Sequence, residues 1–180
     1  MVPNARFTEL LTDIEPSATT KSNCSSAHTS VRDFLRSHSS FKYRWESDFL
    51  AGSYARNTAI RPKKSGDDVE RPDVDIIIVT SFSSDDHPDD VLEELSDALE
   101  DGYTVECINK RSVRVVTSNA EIDLVPTIES GSAYLLPDRD LGKWKWTNPP
   151  GHNDWSRDQN DAFDGRFKPL VKLLKWWRRE

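Results

Sequence analysis

Three aspartates carry the chemistry that this sequence can support. Asp73 and Asp75 open the apolar run Val74-Asp75-Ile76-Ile77-Ile78-Val79, and Asp123 sits between Ile122 and Leu124 in a second run. Residues two apart on a strand project to the same face, so Asp73 and Asp75 point together, and Asp123 joins them if its strand is a neighbour. Three carboxylates supply the hard oxygen ligands that Mg²⁺ requires, with Mn²⁺ as a substitute. Two such ions roughly 4 Å apart activate an attacking hydroxyl and neutralise a leaving pyrophosphate. Asp123 is the expected acceptor of the hydroxyl proton. Upstream, Phe49-Leu50-Ala51-Gly52-Ser53-Tyr54-Ala55-Arg56 reads as strand, turn and short helix. The amides of a first helical turn have no intrahelical partner and point at an anion, so Gly52 and Ser53 can cradle phosphates. An Asp-x-Asp or a Gly-Ser alone is commonplace; the order in which these pieces follow one another is what points to a metal-dependent nucleotidyltransferase.

These residues need a sheet to hold them. Val74 to Val79 is nearly continuous and β-branched, as suits a strand in the middle of a sheet. Lys42 to Ala51 reads as a strand before it, and Tyr103 to Ile108, Val113 to Thr117 and Glu121 to Val125 as three strands after it. Between them, Pro88 to Leu99 carries Val91, Leu92, Leu95 and Leu99 on one stripe and acidic residues at its start, predicting a helix packed on the sheet. His87 reads as its polar beginning. Two helices interrupted at Pro16, the second capped by Ser17, precede the sheet. Arg61 to Asp68 is a polar loop. Late in the chain, Lys143-Trp144-Lys145-Trp146 alternates like an edge strand, and Asn148-Pro149-Pro150-Gly151 is a turn. A last helix starts near Gly165, with Leu170, Leu173, Leu174 and Trp177 on one face and Lys168, Lys172, Lys175 and Arg179 on another. The fold class expected is α+β: a mixed β-sheet with helices packed on one side.

Composition bounds the function. At 180 residues and 36% hydrophobic, the chain can build one real core. A net charge of -7 argues against duplex nucleic acid as a default partner, so contacts with nucleotides must be local. Cys24 and Cys107 are too few for a disulfide framework, no histidine pairs with them at zinc spacing, and the start has no signal-peptide core. With no apolar run of membrane-spanning length, a cytoplasmic protein without a membrane partner is the simplest expectation.

Gly52-Ser53, Asp73-x-Asp75 and Asp123 match the motif of polymerase β-like nucleotidyltransferases. More narrowly, Gly52-Ser53-Tyr54-Ala55-Arg56-Asn57-Thr58-Ala59-Ile60 and Asp138-Arg139-Asp140-Leu141-Gly142-Lys143-Trp144-Lys145-Trp146-Thr147-Asn148-Pro149 resemble the bacterial cGAS/DncV-like nucleotidyltransferases. The resemblance covers essentially the whole chain. It implies that Ser53 contacts the triphosphate of an NTP, ATP among the substrates, and that Asp73, Asp75 and Asp123 bind the metals. It further implies a cyclic oligonucleotide product that signals to an effector in anti-phage defence.

Leu170 to Trp177 is similar to the spine helix of oligoadenylate synthetases, which puts Lys175 at the triphosphate; an ammonium there would follow phosphate oxygens as they gain charge. Lys172 is a second candidate of that kind, with a solvated helix face as its equal alternative. Arg56 could pair with phosphate or with a surface carboxylate. For Trp144 and Trp146, packing is favoured over base stacking, and Trp176 and Trp177 are expected to anchor the core.

The organisation expected is N-terminal helices over 1–40, a catalytic core over 41–162 and the start of a spine helix over 163–180. Relatives continue into a helical second half that completes the base-binding cleft. Because the last helix meets no cap or breaker, the chain reads as the catalytic lobe of such an enzyme, with part of that helix's apolar surface exposed. Two other functions fit the same residues: a minimal nucleotidyltransferase that modifies a protein or RNA, as in toxin-antitoxin pairs, and an inactive remnant.

Overall fold

The computed structural model describes residues 4–65 and 68–179. Met1 to Pro3, Gly66 and Asp67 within the expected polar loop, and the chain's end at Glu180 lie outside the described residues. Two helices lead, α1 (Asn4–Ile14) and α2 (Ala18–Ser37). Pro16 separates them, and Ser17 caps the second by accepting from the Thr20 amide at 3.0 Å. Next come β1 (Trp45–Ala51), the four-residue α3 (Gly52–Ala55) and a minimal hairpin, β2 (Lys64–Ser65) with β3 (Asp68–Val69). Then follow β4 (Asp73–Thr80), α4 (Pro88–Glu100), β5 (Thr104–Ile108), β6 (Val113–Val116) and β7 (Glu121–Ser130). The chain continues through β8 (Ala133–Asp138), β9 (Lys143–Thr147), α5 (Pro149–Ala162) and α6 (Phe167–Arg179).

The main path of the sheet runs β1-β4-β7-β6-β5. Only β4 and β7 pair in parallel; the other pairs on this path are antiparallel. The sheet is therefore mixed, and the continuous apolar run is central, as its composition predicts. Cys24, Ala27, Val31 and Leu35 of α2 and Val91, Leu92, Leu95 and Leu99 of α4 form one core with Val74, Ile76, Ile78, Val113, Val115, Ile122 and Leu124 of the sheet. His87 starts α4 as its N-cap, its ring Nδ1 accepting from the Asp89 amide at 3.3 Å.

Three features differ from expectation. The strand carrying Asp123 does not stop at Val125: Pro126 stands opposite Ile78, and the last residues, Ile128 to Ser130, turn to pair with β8. That β8 was not expected at all. And the Pro149-Pro150 turn is the first turn of α5, where the missing proline amides would be unpaired anyway and Asn148 Oδ1 accepts from the Gly151 amide at 3.0 Å.

Candidate active site

The register of the central strands brings the predicted carboxylates together. In the parallel β4/β7 pair, Asp75 lies directly opposite Asp123, and Asp73 opposite Glu121. Flanking Val74, Ile76, Ile122 and Leu124 are fully buried, so the pleat turns all three aspartates to the other face. On the far side of β4, Ala51 pairs with Asp75 and hands the chain to α3. Gly52 has φ +65°, and a Cβ there would sit 1.7 Å from Asp75 Oδ2. Only glycine lets the start of α3 press against that carboxylate.

The charges are unequally matched. Burial first, and the neighbouring Asp123 and Asp73 charges next, push the Asp75 carboxyl above the usual carboxylate range, with Arg56 and Arg114 opposing. Asp123, by contrast, is fully engaged. Its Oδ1 accepts from Asn109 Nδ2, Ser112 Oγ and Arg114 Nε, each at 3.2 Å, and its Oδ2 accepts from Arg114 Nη2. The three aspartates are consequently not drawn into a ready ligand cluster: among the described residues, no three His, Cys, Asp or Glu side chains are placed to hold a metal ion. The donor set nevertheless fits a hard divalent cation. It offers carboxylate oxygens only, and such an ion would offset both the burial and the like charges that raise Asp75.

A cleft of about 380 Å³ opens beside the strand mouth, lined by Ser53, Tyr54 and Asn57, by Asp73, by Lys21 and Cys24 of α2, and by Lys175 and Arg179 of α6. Ser53, Asp73 and Lys175, predicted from widely separated segments, thus face one space. Lys175 Nζ donates to the Thr58 carbonyl at 3.0 Å; burial and then the Arg56 charge lower its pKa, while Asp75 opposes them. Arg56 lines a second cavity of about 410 Å³, which Lys175 also lines, with Thr58, His152, Trp155 and Phe167.

Other expectations need correction. Lys172 lines neither cavity: it is 3% exposed and pairs with Glu15 Oε1 at 2.6 Å, tying α6 to the end of α1. It is neither a solvated lysine nor placed for phosphate. Trp177 is 77% exposed and anchors no core, because α6 turns its basic face inward. Trp144 packs against the core and donates from Nε1 to the Asp86 carbonyl, as the packing reading expects, whereas Trp146 stands exposed.

Sequence reasoning also passed over Arg114, Asn109 and Ser112. Their signal was available in the alternation: Val113 and Val115 face the core, so Arg114 must share the opposite face, and the antiparallel register puts it beside Asp123.

A model of the Second Messenger Oligonucleotide or Dinucleotide Synthetase domain matches residues 1–160. A cyclic AMP-AMP-AMP synthase from an Acinetobacter strain is 49% identical over 182 residues, which cover 100% of this chain and 53% of that protein. A cyclic AMP-AMP-GMP synthase from Enterobacter hormaechei is 28% identical over 97% of this chain and 61% of its own length. The chain therefore spans only a little over half of the length of these two relatives. Among solved structures, E. coli CdnC with ATP aligns with a TM-score of 0.71 at 24% identity, over 97% of this chain and 56% of that one. Vibrio cholerae DncV in its apo form gives 0.71 at 14% identity, over 94% and 63%.

Proposed function

This chain belongs to the Second Messenger Oligonucleotide or Dinucleotide Synthetase family, and on that premise we propose that it is the catalytic lobe of a cyclic-oligonucleotide synthase. The reaction joins NTPs, ATP among them, by attack of a ribose hydroxyl on an α-phosphate. Pyrophosphate leaves, and the cyclic product signals to an effector in anti-phage defence, in the cytoplasm. Among the described residues no helix is long and apolar enough to cross a membrane.

The observation that carries this reading is the direct pairing of Asp75 with Asp123, with Gly52 pressed against Asp75. In it, Asp73, Asp75 and Asp123 are the residues that would hold two Mg²⁺ ions, or Mn²⁺ in their place, and such ions would activate the attacking hydroxyl and offset the charge of the leaving group. Ser53 and the first-turn amides of α3 orient the triphosphate. Lys175 adds a point charge from α6 to the same cleft, and its partial burial strengthens that charge's pull on phosphate oxygens. Asp123 takes the proton of the attacking hydroxyl.

The test is to incubate the protein with labelled ATP, GTP, CTP and UTP and Mg²⁺, and to resolve products before and after nuclease and phosphatase treatment. A nuclease-resistant, phosphatase-resistant cyclic product that disappears in Asp75→Ala is the expected result. A labelled protein or RNA instead would identify a minimal nucleotidyltransferase, and no turnover of any NTP would count against catalysis by this lobe.

A further inference from the structure

One guanidinium serves three carboxylates at the strand mouth. Arg114 grips Asp123 with two parallel hydrogen bonds, Nε to Oδ1 at 3.2 Å and Nη2 to Oδ2 at 2.5 Å. It also donates from Nη1 to Glu121 Oε2 at 3.1 Å, and its Nη2 stands 3.5 Å from Asp73 Oδ1. Two of these three acids are proposed metal ligands. A carboxylate has about four lone-pair sites, and Asn109 and Ser112 already share Oδ1. Asp123 Oδ2 keeps a lone-pair site beside its short, charge-assisted bond from Arg114, so an ion that takes Oδ2 must compete with the guanidinium's charge at close range. Asp75, next door, has no such donor among the described residues.

Position and exposure argue that this is more than a strand ion pair. Asp73 is 60% exposed at its side chain and needs no partner to be solvated, yet it lies within reach of the same cation that binds Asp123, which is 15% exposed. Arginine suits a place-holding cation, because it stays charged under all conditions and its planar fork matches a carboxylate edge.

We propose that Arg114 is a positioning residue that occupies the place of a divalent cation: it balances Asp123, Glu121 and Asp73 in the ion-free protein and releases Asp123 when a metal ion binds. This inference rests on the metal-site reading above. Its consequence is that free ions bind weakly, since they must displace a guanidinium, whereas an ion arriving on an NTP brings phosphate ligands that offset the displacement. The site would thus load metal together with substrate.

Calorimetric titration of nucleotide-free protein with Mn²⁺ tests this, on wild type, Arg114→Gln, Arg114→Lys and Asp75→Asn, alongside thermal unfolding in EDTA. Removing a unit positive charge from beside the ligands should tighten Mn²⁺ binding by Arg114→Gln about tenfold or more. The same variant should melt several degrees below wild type in EDTA, with the gap closing at saturating Mn²⁺. An affinity equal to or weaker than wild type would overturn the proposal, showing that Arg114 orders the ligands instead of standing in for the ion. If Arg114→Gln does not fold, Arg114→Lys decides: its ammonium cannot reproduce the two-point grip, so Mn²⁺ should bind severalfold tighter, and unchanged affinity overturns the proposal. Asp75→Asn separates the two layers. Mn²⁺ binding that Asp75→Asn abolishes but Arg114→Gln leaves unchanged removes the Arg114 role alone, while no Mn²⁺ binding by wild type or Arg114→Gln removes the metal site with it.

Discussion

Helices α4 and α6 are each thirteen residues long, and each carries an apolar stripe opposite a charged one, yet they sit in the protein in opposite senses. α4 buries Val91, Leu92, Leu95 and Leu99 against the sheet. α6 turns Leu170, Leu174 and Trp177 outward, 53%, 53% and 77% exposed, and buries Lys172. The reason lies in what each helix meets. The surface under α4 is the valine, isoleucine and leucine face of the central strands. The surface under α6 offers Glu15 and Glu70 and the carbonyls of Thr58 and Arg61, which take Lys172, Arg179, Lys175 and Arg179 again. Periodicity shows that a helix has two faces; the partner surface decides which one goes in.

Three substitutions sharpen or break that contrast, and chemical denaturation reads each of them. Leu95→Ala, in the fully buried stripe of α4, should cost about 2–5 kcal/mol through lost transfer energy and the cavity left behind. Lys172→Ala should cost about 1–3 kcal/mol, because it strands Glu15 and empties a buried site, so a lysine would behave as a core residue. A change below about 0.5 kcal/mol, the range of ordinary surface positions, would mean that α6 is not held by its basic face. Leu174→Ala should stay within that small range. The exposed stripe does, however, offer an apolar surface that favours self-association. Sedimentation of wild type should show concentration-dependent association that Trp177→Glu reduces, and a monodisperse wild-type monomer would remove that expectation.

The same contrast explains what could be read from sequence. The β4 run is apolar on both faces and could lie nowhere but mid-sheet, and the two-residue spacing of Asp73 and Asp75 then determined their shared face. Asp123 followed from its alternation with Ile122 and Leu124. The elements that escaped have weak periods. α5 is Pro-Pro-Gly-His-Asn-Asp-Trp-Ser-Arg-Asp-Gln-Asn-Asp-Ala, with Trp155 as its one large apolar residue and two prolines that also suit a turn. β8 holds Tyr134, Leu135 and Leu136 in succession, half-buried, with no alternation to read. For α6 the stripe itself was clear but its sense was not, because the acids and carbonyls that receive Lys172, Lys175 and Arg179 come from Glu15, just past α1, and from the segment between α3 and β4. Arg114 was missed for a related reason. A basic residue in a strand gains its meaning only when the register names its partner.

The central claim is that the strand-mouth aspartates and Lys175 form one nucleotide site through bound metal. Titration of ATP into wild type, Asp75→Asn and Lys175→Ala, each with Mn²⁺ and again with EDTA, tests it most directly. The account predicts divalent-dependent ATP binding by wild type, weakened about tenfold or more in each variant, as expected for losing a charge-assisted contact. ATP affinity that is the same in wild type and Asp75→Asn, and indifferent to EDTA, would contradict it.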